Sequence, residues 1–161
     1  MEIRFFDLLV HPDHAATRGY DDLPRELELR KLWDMRIKEL ADKKDAVLFY
    51  FPAVGVPERE KPTNLQAFEA DRRNAYEGIL GERFFCLDYF PHTTKLLESL
   101  RERGFTYQPS KVDITAYGEI LEQCVYTWLT ATRKTLQVSY WFTQRLPELS
   151  LSLRDEGLLR R

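Results

Sequence analysis

Residues 46–54, Ala-Val-Leu-Phe-Tyr-Phe-Pro-Ala-Val, carry no polar side chain other than the tyrosine hydroxyl. A strand with one wet face alternates apolar and polar residues. A run without that alternation belongs to a strand covered on both sides, the signature of a parallel sheet between helices. The flanks supply the covering helices. Upstream, Leu29, Leu32 with Trp33, Ile37 and Leu40 recur at helical spacing, with Asp22 as N-cap and Pro24 near the first turn. Downstream, Thr63-Asn-Leu-Gln66 has the layout of a capping box, and the helix it opens presents Leu65, Phe68, Ala75 or Tyr76, and Ile79 before Gly81 stops it.

The same alternation runs through the chain. Strands are predicted over residues 2–10, 46–54, 83–90, 112–117 and 137–142. Between the later ones lie a helix from Thr93 or Thr94, with Leu96, Leu97 and Leu100 inward, ended by Gly104, and an apolar helix over about 120–136. Leu149, Leu151 and Leu153 alternate near the end, as in a sixth strand or a partner-binding arm. Strands that alternate with helices pair in parallel through right-handed crossovers. The expected fold is one α/β domain, a three-layer α/β/α sandwich with a mostly parallel sheet of five or six strands. In such sheets ligands bind at the carboxyl ends of the strands, at the switch in strand order.

Charge and cysteine usage narrow the function. The net charge is −2, so no general basic excess points to nucleic acid. No stretch is long and apolar enough to span a membrane, and the N-terminus lacks a signal-peptide layout. Two cysteines make no disulfide framework, which suits a reducing cytoplasm. The expected partner is a small-molecule substrate, with a homo-oligomer suggested by the late leucines and by Tyr140 and Trp141; no cofactor is expected.

Cys124 offers the most specific chemistry. It stands at the start of the apolar helix, just past Tyr117-Gly118-Glu119. A thiol in an opening helical turn faces unpaired N–H groups and the positive end of the dipole, and both favour the nucleophilic thiolate. The bland alternative is a small buried hydrophobe; Cys86, inside an aromatic run, reads as core packing. Glu119 and Glu122 oppose ionisation of the Cys124 thiol by their charge.

The text Leu96-Leu-Glu-Ser-Leu-Arg-Glu-Arg-Gly104, then Ile114-Thr-Ala-Tyr-Gly118, then Cys124-Val125 resembles the isochorismatase-like cysteine hydrolases. Those proteins carry a leucine-rich helix ending in an arginine-rich turn and Gly, a strand ending in Thr-Gly, and a loop leading to Cys-Val. The resemblance implies a hydrolase in which Cys124 attacks an amide or related carbon. It implies an Asp after the first strand as general base, for which Asp7 and Asp13 are the candidates. It also implies a cation near the third strand, where this chain offers Arg83. Gly118, Glu119, Tyr117 and His11 would border the substrate. Two other readings stand beside it: a binding or assembly protein on the same fold, and a metal-dependent hydrolase using His11, Asp13 and His14.

Overall fold

A computed structural model of the chain describes residues 1–12, 24–52, 63–92 and 94–153. In chain order the elements are β1 (Glu2–Ile3), β2 (Phe5–Val10), α1 (Pro24–Ala41), β3 (Ala46–Phe51), α2 (Thr63–Leu80), β4 (Phe84–Cys86), α3 (Lys95–Glu102), β5 (Thr106–Tyr107), β6 (Asp113–Ile120), a π-helical turn (Leu121–Val125), α4 (Tyr126–Thr135) and β7 (Thr143–Leu151). The main sheet has five strands in the order β4-β3-β2-β6-β7, every pair parallel. β1 and β5 form a separate parallel pair.

Strand alternation divides the core into two layers. Phe6, Leu8 and Val10 face one side with Phe49, Phe51 and Phe85, covered by Leu96 and Leu100 of α3 and Leu129 of α4. Leu9, Leu48, Tyr50 and Phe84 face the other, covered by α1 and α2. The stripe expected on α1 is the one it buries: Leu29, Trp33, Ile37 and Leu40 are sealed. Trp33 Nε1 also donates to the Leu149 carbonyl at 2.7 Å, which ties α1 to β7. On α2, Glu69, Tyr76 and Leu80 are buried among the described side chains, while Ile79 is exposed. The expected three-layer α/β/α sandwich is therefore the observed one.

Several boundaries differ from the sequence reading. The first strand divides at Arg4, because the Arg4 and Phe5 amides both turn to the Asp45 carbonyl. The third strand ends after Cys86, which leaves that thiol exposed, not in the core. β6 runs on to Ile120, three residues beyond its predicted end at Tyr117.

The fifth strand is Thr143–Leu151, not residues 137–142. Tyr140–Phe142 instead form a short 3-10 turn, whose Trp141 amide donates to the Ser139 hydroxyl. Leu149 and Leu151 are the buried end of β7 against α1, and Leu153 is buried as well. They belong to the molecule's own core and do not make a partner-binding arm. Among the described residues no helix is long and apolar enough to cross a membrane.

The chain steps outward from β2 to β3 and β4, then returns past β2 to β6 and β7. The switch in strand order lies between β2 and β6, and the crevice beyond their carboxyl ends is the place for a site.

Candidate functional site

Gly118 brings the two strand ends together. It pairs with Val10, the last residue of β2. Its φ of +145° is one that side-chain-bearing residues rarely adopt, and a Cβ there would lie 2.1 Å from the Val10 carbonyl oxygen. Only glycine permits this approach. The Gly118 amide donates to Ser150 Oγ at 3.2 Å, and that hydroxyl donates on to the Leu146 carbonyl at 2.9 Å. This amide is thus committed to knitting β6 to β7, and does not serve as an oxyanion donor.

His11 and Glu119 each follow a member of that Val10–Gly118 pair. Both are buried, at 3% and 2% exposure. His11 sits at φ +49° while its amide donates to the Phe51 carbonyl at 2.8 Å. A left-handed conformation in a residue other than glycine costs about 1 kcal/mol or more, and such conformations gather at functional sites. The His11 imidazole packs edge-on to Trp128, ring centroids 4.5 Å apart, and Trp128 packs edge-on to Phe90 at 4.7 Å. A buried imidazole against an aromatic wall therefore stands at the switch point, with buried Glu119 on the adjoining strand.

Cys124 is half-buried in the π-helical turn that follows β6 and packs against the α3–α4 layer. Turns of this kind are rare and concentrate at functional sites. Trp128 follows four residues later, about one helical turn along. Glu122 anchors the turn to the end of β7, accepting from Ser152 Oγ at 2.6 Å and from the Leu153 amide at 3.4 Å.

The other expected site residues lie elsewhere. Asp7, 1% exposed, forms a two-pronged ion pair with Arg36 of α1, at 2.7 Å and 3.0 Å. It points into the α1–α2 layer, as does Tyr117, whereas Cys124 lies in the opposite one. The structure therefore does not bring Asp7 and Cys124 together. Burial alone would lower the Arg36 pKa, but the hydrogen bonds and charge of Asp7 more than offset it and hold the guanidinium charged. Tyr117 is pushed well above the ordinary phenol range, first by burial and then by the Asp7 charge. Sequence reasoning missed Arg36. The signal was an arginine on the buried stripe of α1, three residues after Trp33 and four before Leu40.

Arg83 precedes β4, at the amino end of the sheet and far from the switch-point crevice. Its guanidinium donates to the carbonyls of Leu40 and Ala41 at 3.0 Å, and to those of Lys43 and Ala46. It closes the carboxyl end of α1 and is not placed to hold a substrate. Asp13 and His14 lie outside the described residues. Among the described residues no group of three or more His, Cys, Asp or Glu is arranged to hold a metal.

No family model matches the chain, and neither a curated protein nor a solved structure matches it.

Proposed function

We propose that this chain is a small-molecule hydrolase with Cys124 as nucleophile, the activity implied by its resemblance to the isochorismatase-like enzymes, and with His11 in place of Asp7 as proton acceptor. The observation that carries the reading is a buried, left-handed His11 just past the end of β2, packed on Trp128, which stands four residues after Cys124.

The chemistry is acyl transfer. The thiol proton passes to the His11 imidazole, and sulfur bonds to the carbonyl carbon of an amide. The carbon–nitrogen bond breaks as the imidazolium returns its proton to the departing nitrogen. Water then cleaves the thioester, releasing the acid and restoring the thiol. Imidazole suits this shuttle because its ordinary pKa is near neutrality.

Alkylation measures the premise. At about pH 6 an ordinary thiol is mostly protonated, so Cys86, though exposed, should react slowly with iodoacetamide. Cys124 should react at least about tenfold faster, and His11→Gln should remove that advantage. Equal rates at the two cysteines, or no response to His11→Gln, would overturn the reading.

A second reading, a non-catalytic binding or assembly protein, is favoured by one observation. Asp7, one of the two acids that the resemblance offers as base, is paired with Arg36, and Arg83, its cation, caps the end of α1. It predicts that a screen of amide substrates finds no turnover that Cys124→Ala abolishes.

A further inference from the structure

Between Gln123 and Pro147 the sequence contains no Asp or Glu, although the chain carries 26. The same stretch holds Arg133, Lys134 and Arg145 and the aromatic residues Tyr126, Tyr140 and Trp141. The fold brings Arg133, Arg145, Tyr126 and Tyr140 together between α4 and the adjoining edge strand β7.

A cleft of about 270 Å³ runs between them. Arg133 stands on its α4 side and Arg145 on its β7 side, with Tyr126, Tyr140, Thr130 and Thr143 between. The Arg145 guanidinium lies 5.1 Å from the centre of the Tyr126 ring. Among the described residues neither arginine forms an ion pair. The aromatic surface is open to water: Tyr140, in the cleft wall, is 70% exposed and Trp141, the next residue, 89%. Adjacent water-facing rings of this size mark a surface that takes a partner.

We infer that the α4–β7 cleft binds single-stranded nucleic acid, its phosphates between Arg133 and Arg145 and its bases on Tyr126, Tyr140 and Trp141. Cations that form no ion pair among the described residues are available to an anion. Flat exposed rings select bases, because every base has a face to stack. Trp141 extends the rings past the cleft, so the ligand is a strand of several nucleotides, not one.

The acidic Asp113, beside Trp141 and Phe142, keeps the phosphate path on the arginine side. A second copy of the chain added to the edge of β7 suits the surface less well. Pro147 removes a donor, and the register of β7 on β6 is irregular there. Net charge had argued against nucleic acid, but it averages over the whole surface, whereas a phosphate responds to charges within about 10 Å.

The test is fluorescence anisotropy of a labelled oligouridylate of about eight nucleotides, starting at about 50 mM salt. Binding should weaken with salt at a slope near −0.7 for each phosphate neutralised, and Arg145→Gln should reduce that slope by about 0.7. Trp141→Ala should raise Kd about tenfold. Both side chains are exposed, so circular dichroism and Tm should match the unsubstituted protein. Uridine monophosphate should compete only at far higher concentration.

Three results would overturn the inference. One is unchanged anisotropy at the highest protein concentration. Another is displacement of the oligonucleotide by inorganic triphosphate at equal phosphate concentration, which would mean a site for anions alone. The last is a dimer in sedimentation that Trp141→Ala dissociates, which would make a second copy the occupant.

Discussion

Gly118 and Arg36 act through what a substitution would leave behind. Adding a methyl group at Gly118 drives carbon into the Val10 carbonyl at 2.1 Å, in a backbone conformation that disfavours any side chain. Both atoms belong to neighbouring strands, so neither can swing away. Gly118→Ala should lower unfolding free energy by about 3 kcal/mol or more, read from the denaturation midpoint. At Arg36 the cost is electrostatic. Arg36→Met strands the Asp7 carboxylate in the α1–α2 layer and should cost about 3–5 kcal/mol. The double variant Asp7→Leu with Arg36→Met should recover most of that loss, because a buried pair replaced by apolar residues is often neutral. The sequence places Gly118 just after a predicted strand, which the structure carries on to Ile120. It does not show that Asp7 faces away from Cys124, which follows from its place in the pleat.

The elements were legible where one local cause decides them. α1 shows its stripe because burial repeats at helical spacing, and β3 shows its double covering because no residue of it meets water. β7 was misplaced because Tyr140, Trp141 and Phe142 have strand propensity, whereas the sheet needs Leu149 and Leu151 opposite α1. Propensity in strands is largely a matter of packing partners, which local sequence does not contain. Cys124 was expected in the first turn of an α-helix, but β6 continues past Gly118 and a π-helical turn absorbs the change of direction.

Arg83 makes the same point at the other end of the sheet. It looked like a cation for a substrate because it opens a strand, and it is instead a cap for the carbonyls of α1. Arg83→Gln should cost about 2 kcal/mol, given the strength of hydrogen bonds to charged groups. Hydrogen exchange should quicken in the last turn of α1, with Cys124 alkylation unchanged.

At the scale of the molecule, the α1–α2 layer holds phenols that the folded state keeps protonated. Burial pushes Tyr76 and Tyr117 above the ordinary phenol range, and the Asp7 charge adds to the effect at Tyr117. Above about pH 10 the unfolded chain releases these protons while the folded chain retains them. The unfolded state then binds fewer protons, so stability falls as pH rises, by about 1.4 kcal/mol per pH unit for each tyrosine. Below that range the contribution is fully present. Urea midpoints across pH 9 to 12 should show the decline, and Tyr117→Phe should remove one tyrosine's share of the slope.

The layered architecture was written in the sequence because it depends on periodicity, and periodicity is a property of neighbours along the chain. Which strand end meets which, which face a carboxylate enters, and where cations and rings gather on the surface depend on distances closed across the fold. Val10 and Gly118 lie far apart in sequence and touch only because the chain returns past β2. The site and the cleft were therefore decided by tertiary contact.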